Sequence, residues 1–182
     1  MKNRYRIAVA GLSLLLIVAG LTGCNPEQTA RQVVAPVAFH DSDECHICGM
    51  IITRLSGPKG QAVNADEVRK FCSAAEMLTW ALQPENQHRQ LQLYVHDMAR
   101  SDWDHPEDQH LIDAREAWYV AGTKLKASMG AVLASFADET AARALAEEQG
   151  GRVLGFSEID LEFLNQTAAT QNHGLSESRT HH

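Results

Sequence analysis

Two stretches of this chain run through the same order of local signals. Phe71-Cys72-Ser73 leads into an apolar segment of helical period and then a strand, and Phe136-Ala137-Asp138 does the same in the second half. The order predicts an α+β fold made of two small homologous ββαβ units. At 182 residues with 45% hydrophobic content, the chain has room for one ordinary domain or two small ones and enough apolar material for a real core.

The local signals are specific. Ser73 is a helix cap with Glu76 three residues on, the spacing of a capping box. Met77, Leu78, Trp80, Ala81 and Leu82 supply an apolar face, and Pro84 ends the run. Leu91, Leu93 and Val95 alternate with Gln92 and Tyr94, which predicts a strand with one face in the core. In the second half, Trp118-Tyr119-Val120-Ala121 reads as a strand, Asp138 caps a helix closed by Gly150-Gly151, and Val153-Leu154-Gly155-Phe156 is the closing strand. Gln61-Ala62-Val63-Asn64 can pair as a strand, and the β-branched run Ile51-Ile52-Thr53 predicts another. The charged stretch from Ala99 to Gln109 predicts a long connection.

The ends of the chain are of a different kind. Lys2, Arg4 and Arg6 precede an apolar run from Ile7 to Ala19 and then Leu21-Thr22-Gly23-Cys24. This is the pattern of a signal peptide over residues 1–23, cut before Cys24, whose thiol then carries lipid; a plain signal peptide or a single anchor helix are the alternatives. Asn25 after the cut favours sorting to the outer membrane over the inner. Residues 24–42 read as a tether, 43–100 and 101–164 as the two units, and 165–182, polar and without periodicity, as a disordered tail. The formal charge of -7 becomes more negative once the basic leader is set aside, which excludes nucleic acid as a partner.

The chemistry is concentrated in Asp43-Glu44-Cys45-His46-Ile47-Cys48-Gly49-Met50, where two thiols, an imidazole and a thioether fall within six residues. Thiolate and thioether sulfur select Cu(I) over hard cations. Cys48 and Met50 are two apart and face the same side of an extended segment. Cys45 reads as a second thiolate, a disulfide partner of Cys48 or a transfer ligand, and His46 as a ligand or a bland surface residue. Either a distant residue completes the site or it is open and low-coordinate, and for the distant place Met129, in a Gly-flanked loop, and Met98 compete. Met77 reads as core, Cys72 as a structural residue before a helix, and Asp104, His105 and His110 as a solvated loop. Nothing in the chain forms a nucleotide loop or a serine elbow, so an enzyme is not expected. The competing readings are a thiol–disulfide oxidoreductase using Cys45 and Cys48, and a zinc or structural-metal module.

Taken together, the Cys24 lipobox, Asp43-Glu44-Cys45-His46-Ile47-Cys48-Gly49-Met50-Ile51-Ile52, Gly57-Pro58-Lys59-Gly60-Gln61-Ala62, Lys70-Phe71-Cys72-Ser73, Tyr94-Val95-His96-Asp97-Met98 and Ala117-Trp118-Tyr119-Val120 resemble the NosL family, accessory lipoproteins of nitrous oxide reductase. The likeness runs over about residues 43–160. It implies a membrane-anchored periplasmic chaperone that carries Cu(I) for the copper–sulfide centre of that reductase and works with an ABC-type assembly complex. It also implies two ββαβ units, and copper held by Cys48, Met50 and Met129, with the role of Cys45 open.

Overall fold

A computed structural model describes residues 33–126 and 131–177. Cys24, the expected signal segment and Met129 lie outside the described residues. Among the described residues, seven strands form two antiparallel sheets. In the first, β1 (Gly60–Val63), β2 (Val68–Phe71), β3 (Gln92–His96) and β4 (Leu111–Asp113) stand in the order β2-β1-β3-β4. In the second, β5 (Trp118–Ala121), β6 (Leu133–Phe136) and β7 (Arg152–Gly155) stand in the order β6-β5-β7. Helix α1 (Ala74–Ala81) follows β2, and the longer α3 (Glu139–Gln149) follows β6. Each unit is therefore β-β-α-β with its first strand in the middle, and β4 is an addition to the edge of β3. This is the duplicated ββαβ architecture that the order of signals predicts.

The element ends follow from short-range chemistry. The β1–β2 hairpin turns on Asn64, whose Oδ1 accepts the backbone N–H of Asp66 and Glu67, each at 2.9 Å. Ser73 caps α1 by accepting the Glu76 N–H at 3.1 Å, and Asp138 caps α3 by accepting those of Thr140 and Ala141. Gly150, at φ +76, closes α3, a conformation a side chain disfavours. Pro84 opens a separate single turn, α2 (Pro84–Gln87).

One apolar cluster unites both units. Phe71, Met77, Leu78 and Leu93 of the first pack in the same body as Tyr119, Leu133 and Leu154 of the second. The sheets are stitched where β3 ends: Met98 N–H donates to Ser135 O at 2.8 Å, and Ser135 Oγ donates to His96 O at 2.7 Å. Strand β3 departs from expectation. All five residues of β3 are buried, not alternate ones: Leu93 and Val95 face the shared core, while the segment before the cysteine loop covers the other face, Tyr94 Oη donating to Val34 O at 2.7 Å and Phe39 packing on the His96 ring.

Two other expectations are corrected. Ile51-Ile52-Thr53 does not make a strand: only Ile51 pairs, with Glu44, and Ile52–Arg54 forms a 3-10 turn around the fully buried Ile52. β-Branched composition yields here to the anchoring of one side chain. Of the tail predicted as disordered over 165–182, residues 165–177 instead continue helix α4 (Leu161–Glu177), and 178–182 lie outside the described residues. Asp160 starts it by accepting the Phe163 N–H at 2.7 Å, Leu164 is buried, and Gln171 Oε1 accepts the Val132 N–H at 2.6 Å. The helix is held by docking, which polar composition does not reveal.

Close packing of α1 on the sheet yields a test. A Cβ on Gly60 would lie 2.6 Å from Met77 Cβ, with strand backbone on one side and helix on the other. Gly60→Ala is expected to cost about 1–3 kcal/mol by overpacking, read as a lower urea midpoint with unchanged slope.

Candidate metal centre

The loop 44–51 is closed by the Glu44–Ile51 bridge and by Cys45 N–H donating to Met50 O at 2.9 Å. Inside it, Gly49 takes φ +70 and its N–H donates to Cys45 O at 2.9 Å, so the chain reverses within Cys45-His46-Ile47-Cys48-Gly49. The loop is laid on the edge of the first sheet by His46 N–H donating to Lys70 O of β2 at 2.9 Å. That bond sets the register between the loop and the chain just beyond β2. It brings Cys72 and the first turn of α1 under the two loop cysteines.

Cys45, Cys48, Cys72 and Glu76 thus converge, with their ligand atoms all within 4.8 Å of one another. Cys48 Sγ and Cys72 Sγ are 3.8 Å apart. Two sulfurs bound to one ion at about 2.3 Å would stand about 4 Å apart, so the pair already has the spacing of a shared ligand set. Glu76 Oε2 lies 3.0 Å from Cys45 Sγ and 2.9 Å from Cys72 Sγ. Cys72 N–H also donates to Cys45 Sγ at 3.4 Å. All three cysteines are free thiols; Cys45 and Cys72 are buried and Cys48 is half-buried.

The electrostatics single out Cys45 as the resident thiolate. A hydrogen bond from Cys72 brings its pKa down to about 4 against the opposing effect of burial, with help from the N–H groups of Cys48 and Ile47 and from Glu76. The same hydrogen bond, burial and Glu76 push the Cys72 thiol well up. Burial, together with the Cys45 charge, also raises Cys48. Burial lifts Glu76 to about 7, with the Cys45 charge adding to it. The group gathers three sulfurs and a carboxyl group that could hold a soft cation, releasing protons as thiols bind it.

Residues 36–164 match the NosL family. The chain belongs to that family. It is 57% identical over 175 residues to the copper-binding lipoprotein NosL of Stutzerimonas stutzeri, covering 96% of this chain and 92% of that one. It is 33% identical to the protein of the same description from Achromobacter cycloclastes, over 87% of this chain and 82% of the relative. Its fold matches the crystal structure of the copper chaperone NosL from Shewanella denitrificans with a TM-score of 0.66 and 40% identity, over 69% of this chain and 96% of the other.

Of the residues singled out in sequence, the structure brings Cys45 and Cys48 together. Met50 is half-buried two residues further on, its carbonyl engaged by Cys45. His46 is turned elsewhere: its ring meets Phe71 and Trp80 edge-on at 5.7 and 5.6 Å, and Arg69 Nη1 donates to its Nε2 at 3.0 Å. Sequence reasoning missed two members of the group. Cys72, read as structural, is a full participant, a correction that follows from the Lys70 register. Glu76, read as the reciprocal half of a capping box, donates its N–H to Ser73 Oγ but directs its carboxyl group at the sulfurs. The available signal was the spacing of Cys72 and Glu76, four apart at the start of a helix and so on one face of it. The Cys45–Cys48 disulfide considered from sequence is absent from this structure.

Proposed function

We propose that this chain is a membrane-anchored, extracytoplasmic lipoprotein that carries Cu(I) and hands it on for assembly of the copper–sulfide centre of nitrous oxide reductase, without catalysing a reaction of its own. The carrying observation is the convergence of three thiols and a carboxyl group within 4.8 Å. The copper-binding and chaperone descriptions of the relatives support the choice of cargo. Lipid on Cys24, a periplasmic location and docking to an ABC-type assembly complex belong to the same reading, from the lipobox and the resemblance.

The chemistry is ligand exchange. Cu(I) has a filled d shell, tolerates two or three sulfur ligands, and lets an incoming donor add before a resident one leaves. Cys45 supplies the negative charge that draws the ion in. Cys48, half-buried on the loop, is the sulfur an outside ligand reaches first. Met50 and Met129 are proposed as the thioether donors that share the ion with Cys48 during transfer, while Cys72 and Glu76 complete the inner set.

The oxidoreductase reading is weaker for a structural reason. Such a dithiol needs an exposed attacking sulfur as its first cysteine, commonly at a helix start, whereas Cys45 is 3% exposed and sits in a closed turn. An anaerobic Cu(I) titration against a strong chromophoric chelator tests the proposal. The reduced parent is expected to compete, and Cys48→Ser is expected to bind at least about 100-fold more weakly. Equal affinity in both, or efficient reduction of insulin disulfides by the parent, would sink it.

A further inference from the structure

We propose that Cys48 and Cys72 are a reversible disulfide pair, and that the oxidised form cannot hold the soft-metal cargo. The cargo clause rests on the copper reading above; the disulfide itself does not. The two sulfurs face each other at 3.8 Å with no group between them, and both are free. A disulfide requires about 2.05 Å, so they must approach by a little under 2 Å. Cys48 is on the loop side of that gap, next to Gly49 and to Ile47, which is 54% exposed at the loop tip. Cys72 is anchored in front of the capped α1. Closure therefore needs the loop side to move and the sheet side to stay.

The backbone is already arranged for it. Cys48 and Cys72 are 24 residues apart in sequence, yet the His46–Lys70 hydrogen bond holds the two segments side by side. The entropy of bringing them together has been met by folding. The competing pair, Cys45 with Cys48, is disfavoured because Cys45 Sγ is turned inward, accepting the Cys72 N–H at 3.4 Å and facing Glu76 at 3.0 Å.

The reaction balances with a low-molecular-weight disulfide as oxidant, the class of reagent an oxidising extracytoplasmic space provides. The Cys48 sulfur, as thiolate, attacks one sulfur of the oxidant. The oxidant's S–S bond breaks and one thiol leaves with a proton. Cys72 then attacks the Cys48 sulfur of the mixed disulfide, expelling the second thiol with the remaining proton. Two protein thiols are oxidised and one disulfide is reduced to two thiols. The product removes two of the three sulfurs that converge on the site and leaves Cys45 alone with Glu76.

The test uses the full chain in detergent, reduced without oxygen, treated with oxidised glutathione, alkylated, digested and sequenced by mass spectrometry. Expected is a peptide containing Cys48 joined to the one containing Cys72, with Cys45 carrying the alkyl group. Copper affinity of the oxidised protein should fall at least about 100-fold and return on reduction. The Cys45→Ser variant should still form the bridge. A Cys45–Cys48 pairing, no bridge at all, or a bridged protein that binds copper as well as the reduced one would overturn the proposal. If the reduced parent itself fails to bind copper, the carrier reading falls instead, and the peptide map still decides the pairing.

Discussion

Cys72→Ser is expected to weaken Cu(I) binding by at least about 100-fold, as severely as Cys48→Ser, while leaving the fold intact. The expectation separates two ligand sets. If copper is held only by Cys48, Met50 and Met129, Cys72 is a small buried residue and its replacement by serine is silent. If the ion enters the group the structure assembles, the change removes a sulfur standing 3.8 Å from Cys48. Serine occupies nearly the same volume and its hydroxyl retains a donor for Glu76 Oε2, now 2.9 Å from the thiol, so the start of α1 keeps its packing. Chelator competition reads the affinity, and circular dichroism with a urea midpoint verifies that the variant is folded. A folded Cys72→Ser that binds copper like the parent would remove Cys72 from the ligand set.

Acid is expected to destabilise the protein through His96, by on the order of 3 kcal/mol between about pH 6.5 and pH 4. The ring is 0% exposed and borders a cavity of about 190 Å³ shared with Phe39, Lys59 and Asp108. Its Nδ1 accepts the Lys59 backbone N–H at 3.2 Å, so the proton of the neutral ring is on Nε2, which makes no well-formed hydrogen bond and faces Asp108 Oδ1 at 3.5 Å. Burial, aided by the Lys59 charge, brings the ring's pKa down to about 4 although Asp108 pulls the other way. Between that value and the ordinary histidine value, the unfolded chain binds a proton that the folded chain refuses. Stability therefore falls as pH drops through this window and levels off below it, apart from what carboxylates add. The urea midpoint measured from pH 7 to pH 4 should drop more steeply in the parent than in His96→Gln. Parallel profiles would show that His96 is not the titrating group.

The ligand geometry also bears on the order of events at the loop. Hydrogen bonds converge on Cys45 from the turn and from Cys72 and favour its thiolate form. Cys48 is the half-buried sulfur, joined to the rest of the site through Cys72. On the proposed carrier reading, Cys45 is the inner sulfur and Cys48 the outer handle, and the handle is also the residue best placed for oxidation.

What the sequence determined by itself was whatever is decided within a few residues. The Ser73 and Asp138 caps, the stop at Pro84, the glycine end of α3 and the repeated ββαβ order are short-range effects, and all of them appear in the structure. The cysteine loop was legible for the same reason, since Cys45 and Cys48 are close in sequence and need no fold to meet. Only the tertiary structure decided what lies opposite them. Cys72 and Glu76 join the site through one hydrogen bond between His46 and Lys70, and strand register of that kind depends on pairing across the sheet, which no local pattern encodes. The burial of both faces of β3 and the docking of α4 have the same cause: each depends on a surface supplied by another part of the chain.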